Sequence, residues 1–504
     1  MKHDGWMAQL NTKRSQIDHV FATLRGTVRE TAGPAIAVGV GRIGVALAQI
    51  VSVRISTELL TPVQLGGVSQ MGSLASLFSL LLIIPVGHYV VRGFLEWSEV
   101  GVLQSYLKRY LAYILFLALV TTVLAGGIQT QWQLVSGFSA LAVALLTGIY
   151  IFSSSVSFIG VTGLNLLKRR ISFALFTNLP VWIALAASPV LFRYYGGAEY
   201  WSLGQYLGLT VGCFAWWLLW HDLKNRAVVP PSAQTSLLSF SPAAIFAFSW
   251  PVVITAALWW IQSQSYRFVL DRIQGIANVG LFAVGYSLAA TPIAMYEGLF
   301  GQFYEPIFYG ELRGQGEEGQ VRAWNNYARI YLPGLVVVGT FVATGSPFLA
   351  QILLGSAFRS VAIQVALWAA IIETMRAAGG MMYHLGMAKV DNRMTILPVA
   401  VGAVLAPLGV LLFGQFDPFL GTIAGLFVAG LAVIIIIVIT SRRVLPISWP
   451  IRRIINGVVL SMPLAVGFQV THWMDPSLGT GMSLLVLALG GVYVLGTQAW
   501  LFTR

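Results

Sequence analysis

The stretch FSPAAIFAFSWPVVITAALWWIQSQSYRFVLDRIQGIANVGLFAVGYSLAATP, residues 240–292, joins two apolar segments through a short charged connection. The first apolar segment has about 20 residues, which is enough to cross a bilayer as a helix. Tyr266-Arg267 and Asp271-Arg272 then interrupt the apolar pattern, and a glycine-bearing turn leads into a second apolar segment from about Ala277. The pattern predicts two membrane helices that meet at a charged elbow.

The rest of the chain has the same membrane character. Of its 504 residues, 57% are hydrophobic and only 10% are charged, and the mean hydropathy is +0.78. This composition is typical of a polytopic membrane protein rather than of several soluble domains. Apolar windows predict about fourteen membrane helices in an all-α fold, at residues 35–57, 66–91, 108–128, 134–158, 174–193, 202–220, 242–264, 277–300, 329–350, 362–385, 394–415, 418–440, 454–473 and 479–502.

The distribution of basic residues predicts the orientation of the chain. With the N-terminus in the cytoplasm, 23 of the 30 Lys and Arg residues fall on the cytoplasmic side. The outer loops then hold only Arg193, Arg267, Arg272 and Arg359. Because Lys and Arg favour cytoplasmic loops, we expect both termini to be cytoplasmic. Anionic headgroups then account for the net charge of +12, so membrane lipids, and no nucleic acid, are the expected partners.

Weak internal symmetry indicates a duplicated bundle. Arg54 precedes Gly66 by 12 residues and Arg267 precedes Gly280 by 13, and in each case a helix rich in small residues follows. Two repeats of six helices would be related by an axis along the membrane normal. We therefore expect a cytoplasmic amphipathic or basic segment (1–34), a first lobe (35–220), a cytoplasmic linker (221–241), a second lobe (242–440) and two extra helices (441–504).

Apart from Lys108, Arg109, Arg193 and Arg329 at the span ends, five charged residues lie within the predicted spans. Arg42 and Arg54 belong to the first span, Glu297 to the eighth, and Glu373 and Arg376 to the tenth. A charge within the bilayer is costly and usually faces protein or a water-filled cavity. The alternatives are that Arg42 and Arg54 snorkel to the interfaces, that Glu373 and Arg376 form a structural pair three residues apart, and that Glu297 reaches the interface.

These features together resemble the Wzx-type flippases of the polysaccharide transporter family, within the multidrug/oligosaccharidyl-lipid/polysaccharide (MOP) exporter superfamily. The resemblance is carried by the proline-bearing helix from Pro242, the Tyr266-Arg267 pair, the glycine-rich helix that follows, and the basic turn LNLLKRRISFALFTN at 164–178. The inside loop FYEPIFYGELRGQGEEGQVRAWNNYAR at 303–329 also looks similar. The resemblance implies two pseudo-symmetric six-helix lobes around a central cavity, in a transporter of the bacterial inner membrane.

The expected substrate is an undecaprenyl-diphosphate-linked oligosaccharide that moves from the cytoplasmic to the outer leaflet by alternating access. A diphosphate is best held by bidentate arginines in a low-dielectric cavity. The predicted substrate-binding residues are Arg42, Arg54, Arg267, Arg272, Arg376, Tyr266 and Trp260, of which the aromatic residues could stack on sugars or simply belong to the interface belt. Polysaccharide polymerase and chain-length machinery are the expected protein partners.

No phosphate loop is present, so ATP hydrolysis by this chain is not expected. Coupling to H⁺ or Na⁺ through Glu297, Glu373 or Asp271 is the predicted energy source. Six scattered histidines and the single cysteine, Cys213, predict no metal site and no cofactor.

Three other functions stay open. A cation-coupled multidrug exporter would call for acids in the first lobe, where the spans hold only Glu58, at an outer edge. A lipid II flippase would have the same number of helices, but the first span lacks that family's Ser-Arg start and Arg-Asp pair. A membrane-embedded enzyme is the third, although no outer loop exceeds about a dozen residues, whereas glycan polymerases and ligases usually carry a large one.

Overall fold

The computed structural model describes residues 41, 44–224, 240–312, 316–382, 385, 395–475 and 479–503. These ranges form fourteen long helices and no strand. The helices are α1 (44–59), α2 (Pro62–Val100), α3 (Leu103–Trp132), α4 (Ala140–Leu166), α5 (Arg170–Tyr195), α6 (Ala198–Lys224), α7 (Pro242–Gln274), α8 (Ile276–Leu312), α9 (Glu317–Leu353), α10 (Ser356–Gly380), α11 (Ile396–Phe413), α12 (Leu420–Val444), α13 (Ile451–Met474) and α14 (Thr480–Thr503).

Twelve of these helices, all except α1 and α6, are long and apolar enough to cross a membrane in the part of the chain that the structure describes. The protein is therefore a multi-pass membrane protein, and the predicted all-α fold with about fourteen helices is confirmed. The segment at 1–34 and most of the linker at 221–241 lie outside the described residues.

Local sequence explains where the central helices begin and end. Thr61 caps α2: its Oγ1 accepts from the Gln64 N–H, and Gln64 Oε1 accepts from the Thr61 N–H at 3.0 Å, a reciprocal arrangement that satisfies two orphan donors. Ser241 caps α7 in the same position. The α7 helix breaks at Ser265, and its last piece, Tyr266–Gln274, ends at Gly275 with φ +86°. This last piece is the charged elbow expected from the sequence.

Several helices extend beyond the apolar windows. The α2 helix continues to Val100, α8 continues to Leu312 and α9 begins at Glu317. The long inside loop expected at 303–329 is therefore wrong, because only 313–316 separate α8 from α9. A hydropathy window detects only the apolar part of a helix, whereas these helices extend as polar and charged turns.

The buried side chains form separate cores in two groups of helices. We call α1–α6 the first bundle, with cores around Trp97 and Met71. We call α7–α12 the second bundle, with cores around Trp324 and Phe282. The last two helices, α13 and α14, pack on α9, where Leu464 and Phe468 contact Phe348.

The two bundles meet unevenly. The segment Pro62–Phe78 of α2 packs along α8, and a π-helical turn at Ser79–Ile83 follows. After that turn, Ile84–Val100 packs instead on α4 and on the first half of α7, where Phe248 contacts Tyr89 with ring centres 5.4 Å apart. The α2 and α8 helices are thus in close contact at the end that the orientation of basic residues predicts to be the outer face.

Candidate functional site

The elbow of α7 contacts the first bundle through Asp271. Its Oδ2 accepts hydrogen bonds from Gln70 Nε2 of α2 at 2.9 Å and from Ser136 Oγ, between α3 and α4, at 2.7 Å. Gln70 is fully buried, and its Oε1 accepts from the Ser136 N–H at 2.9 Å. Hydrogen bonds to an ionised carboxylate are roughly twice as strong as neutral ones. These three residues therefore tie the two bundles together at the predicted outer face.

Arg267, one turn before Asp271, makes a second connection. Its guanidinium donates to Ser73 Oγ of α2 and to Gln264 Oε1 of α7, and it lies 5.3 Å from the centre of the Tyr266 ring. Trp260 Nε1 donates to the Ser73 carbonyl at 2.9 Å. Arg267 Nε is buried and has no hydrogen-bond partner among the described residues. We call Gln70, Ser73, Ser136, Arg267 and Asp271 the outer latch.

Two more arginines bind backbone carbonyls across the bundle boundary. Arg54 of α1 donates to the Leu354 carbonyl, between α9 and α10, at 2.6 Å and forms an ion pair with Glu58. Arg272 donates to the Trp132 carbonyl, at the end of α3, at 2.5 Å. With Arg267, three arginines at this face therefore have neutral acceptors in the opposite bundle.

Glycines let the backbones touch beside the outer latch. A Cβ atom on Gly280 of α8 would lie 1.9 Å from the Pro62 carbonyl oxygen, and one on Gly66 of α2 would lie 2.3 Å from the Ile276 carbonyl oxygen. Any side chain larger than hydrogen would push α2 and α8 apart. The two glycines that stand at matching positions of the sequence repeat therefore lie at one crossing point.

A second polar group lies within the second bundle. Arg376 Nε donates to Glu373 Oε2 at 2.6 Å, and its terminal nitrogen forms an ion pair with Glu297 of α8. Tyr286 of α8 donates from its hydroxyl to Glu373 Oε1 at 2.6 Å. Arg376 lies four residues before the end of α10, and 30% of its side chain and 25% of that of Glu297 are exposed. We call Tyr286, Glu297, Glu373 and Arg376 the inner cluster.

Aromatic rings connect the inner cluster to the outer latch. The Tyr286 ring centre lies 6.1 Å from that of Tyr266 and 5.9 Å from that of Phe282. Tyr266 in turn contacts Arg267. These separations are those of packed aromatic pairs, so the rings of Tyr286 and Tyr266 form a continuous contact between the inner cluster and Arg267 of the outer latch.

The described residues that the sequence analysis singled out lie in two groups, one at the contact between the bundles and one in the inner cluster. Arg54, Trp260, Arg267, Asp271 and Arg272 lie at the contact between the bundles, and Tyr266 lies behind them with only 1% of its surface exposed. Glu297, Glu373 and Arg376 lie in the inner cluster. Arg42 lies outside the described residues.

Sequence reasoning missed the partners of these charges. Gln70, Ser73, Ser136, Gln264 and Tyr286 were not singled out, although Gln70 and Ser73 stand three residues apart on an otherwise apolar helix. Polar residues at this spacing share one helix face, and that was the available indication. The partner of Glu297 comes from another helix, 79 residues along the chain, and could not be read locally.

The fold is that of known transporters. No protein-family model and no curated protein matches the chain. Among solved structures, it is similar to the lipid II flippase MurJ in an inward closed conformation, with a TM-score of 0.68 over 94% of this chain and 98% of that one, at 11% identity. It is also similar to an inward-facing multidrug resistance MATE transporter (TM-score 0.56, 80% and 98% covered, 13% identity) and to the eukaryotic MATE transporter AtDTX14 (0.51, 82% and 96%, 15%). The chain therefore has the fold of the MOP-superfamily transporters.

Proposed function

We propose that the protein is a flippase that moves an undecaprenyl-diphosphate-linked oligosaccharide from the cytoplasmic to the outer leaflet of the bacterial inner membrane, with both of its termini in the cytoplasm. The observation that carries the proposal is that Arg54, Arg267 and Arg272 donate to neutral acceptors of the opposite bundle. A diphosphate is a stronger acceptor for a guanidinium than a hydroxyl or a carbonyl. These contacts can therefore be replaced by the substrate once the bundles separate.

Alternating access gives this exchange a direction. In the present conformation the arginines of the outer face bind across the boundary, while Arg376 binds two carboxylates of its own bundle and has 30% of its side chain exposed. Separation of the bundles at the outer latch would free Arg267 and Arg272 toward the space between them. Once a cation has released Arg376 from one of its carboxylates, the diphosphate would meet Arg376 in one conformation and the freed arginines in the other, which is how a transporter with two related bundles presents its substrate to either side.

The inner cluster is the proposed site of coupling to H⁺ or Na⁺. Two carboxylates share one guanidinium, so the cluster carries a net charge of −1 when both are ionised. Addition of a cation at Glu297 or Glu373 would neutralise that charge and loosen the hold on Arg376. Tyr286, which donates to Glu373, would pass the change to Tyr266 and the outer latch.

A cation-coupled multidrug exporter is the second candidate, and the same net negative charge favours it. Two acids against one arginine would also suit a cationic substrate. Against it, the outer face of the boundary presents three arginines against two acids, Asp271 and the Glu58 that pairs with Arg54. The similarity to MurJ makes lipid II a further substrate to test. Against lipid II, the first span lacks the Ser-Arg start and the Arg-Asp pair of the lipid II flippase family.

The proposal is tested by reconstituting the full chain in proteoliposomes loaded with three probes in separate preparations. The probes are a fluorescent undecaprenyl-diphosphate oligosaccharide, lipid II and a cationic dye. We expect the oligosaccharide to become accessible to an external glycosidase, faster than in liposomes without protein. Movement of the dye alone would establish the exporter instead.

The protein partners of the proposed flippase are a polysaccharide polymerase and chain-length machinery, which would consume the translocated product on the outer side.

A further inference from the structure

A cavity separate from the boundary between the bundles lies among the ends of α8, α9, α13 and α14 at the predicted cytoplasmic face. Its volume is about 140 Å³, and its lining includes Tyr304, Asn326, Arg329, Arg453, Leu501 and Phe502. One water molecule requires roughly 10–15 Å³ of such space. The cavity therefore has room for a group much larger than water.

The lining favours an anion. Arg329 of α9 and Arg453 of α13 approach the cavity from different helices. Asn326, one turn before Arg329, donates to Glu311 Oε2 at 3.4 Å, which places one carboxylate beside the two guanidiniums. Among the described groups the two guanidiniums outnumber the one carboxylate, and the planar guanidinium suits the oxygens of a phosphate.

The position of the cavity favours a lipid rather than a soluble anion. Leu501 and Phe502 give the cavity an apolar wall, and exposed apolar side chains continue along α14 into the membrane: Leu495 is 70% exposed and Val492 is 69% exposed. A soluble phosphate would leave this apolar path unused. Basic pockets between membrane helices on the cytoplasmic side are typical sites for anionic headgroups.

We propose that this cavity binds the phosphate of an anionic glycerophospholipid, with an acyl chain lying along α14. The lipid would connect α9 with α13 and α14, which both pack on α9. Its role is to hold the last two helices against the second bundle. The proposal is independent of the transported substrate.

The test compares lipids and variants of the full-length protein in detergent solution. Phosphatidylglycerol, phosphatidylcholine and inorganic phosphate are titrated separately while the thermal unfolding temperature is recorded, and bound lipids are counted by native mass spectrometry. We expect phosphatidylglycerol alone to raise the unfolding temperature. Arg329→Gln and Arg453→Gln should each weaken its binding about fivefold, the worth of one basic residue near an anionic surface.

Arg452→Gln is the matched control, because Arg452 is the exposed neighbour of Arg453 on the same helix and does not line the cavity. An equal loss in Arg452→Gln would overturn the proposal in favour of general surface charge. Stabilisation by inorganic phosphate to the same extent would overturn it in favour of a soluble anion. If the Gln variant at one of the two arginines fails to fold, the Lys variant at that position replaces it, because Lys keeps the charge. The Lys variant should bind phosphatidylglycerol more tightly than the Gln variant at the other arginine. Equal or weaker binding by the Lys variant would overturn the proposal.

Discussion

Replacing Asp271 by Asn should shift the protein toward a conformation that is open at the outer face. Asp271 Oδ2 accepts two hydrogen bonds from the first bundle, at 2.9 and 2.7 Å. A hydrogen bond to an ionised group is worth ~1.5–3 kcal/mol and a neutral one ~0.5–1.5 kcal/mol. An amide therefore loses about 1 kcal/mol per bond, or about 2 kcal/mol in total, which corresponds to roughly a thirtyfold change in the ratio of the two conformations.

The assay is a distance measurement between spin labels on the two bundles. Gln131→Cys, at the end of α3, and Phe416→Cys, between α11 and α12, place labels on exposed residues of the predicted outer face. A Cys213→Ser background removes the single native cysteine. We expect the ratio of the longer-distance to the shorter-distance population to rise about thirtyfold in Asp271→Asn.

Asp417→Asn is the control for this measurement. Asp417 lies at the same face of the second bundle, but its Oδ1 accepts from the N–H groups of Phe419 and Leu420 at the start of α12. It should weaken that helix end and broaden the signal of the adjacent label at position 416 without raising the longer-distance population. An unchanged distribution in Asp271→Asn, or an equal shift in both variants, would refute the reasoning about the outer latch.

Three further predictions follow from the same contacts. Gly280→Ala should separate α2 from α8 and raise the labelling, by a thiol reagent added from the outer side, of a cysteine introduced between them. Gly298→Ala lies in the same helix, where a Cβ would meet nothing within 4 Å, and should leave this labelling unchanged. Equal labelling in the two variants would exclude close contact of the helices at Gly280. Arg376→Gln should lower the free energy of unfolding by ~3 kcal/mol because it leaves the partly buried carboxylates of Glu297 and Glu373 without their cation. Adding Glu297→Gln and Glu373→Gln to this variant should restore its stability, as measured by thermal unfolding. A reporter fused after Arg504 should be active only in the cytoplasm, and an outer signal would reverse the orientation.

The sequence predicted the fold well because membrane helices are specified by local composition. The apolar windows placed each of the fourteen long helices that the structure describes, and the elbow at Tyr266–Gln274 was recognisable from its charges alone. The helix ends at Val100, Leu312 and Glu317 were missed. The apolar composition of a helix ends at the membrane surface, whereas its backbone hydrogen bonds continue beyond it. The bundle contact at Gly66 and Gly280 was indicated only as a repeat of spacing.

The candidate site was predictable in residue type and not in arrangement. Arg267, Arg376, Glu297 and Glu373 stood out because charges are rare in such a chain. Their partners depend on which helices pack together. Nothing in the sequence around Ser73 and Gln70 indicates that α7 packs against them and brings Arg267 and Asp271 into contact. The sequence suggested one group of arginines, and the structure places the described ones in two groups.

The most direct test of the central claim is transport by guanidinium-to-ammonium variants. Arg267→Lys and Arg376→Lys keep the charge and lose the bidentate geometry that suits a diphosphate, and Arg193→Lys, at an exposed position of the same predicted outer face, is the control. At matched amounts in proteoliposomes, we expect both site variants to lose at least tenfold in the rate of oligosaccharide movement while Arg193→Lys stays at the wild-type rate. Wild-type rates in all three would contradict the account.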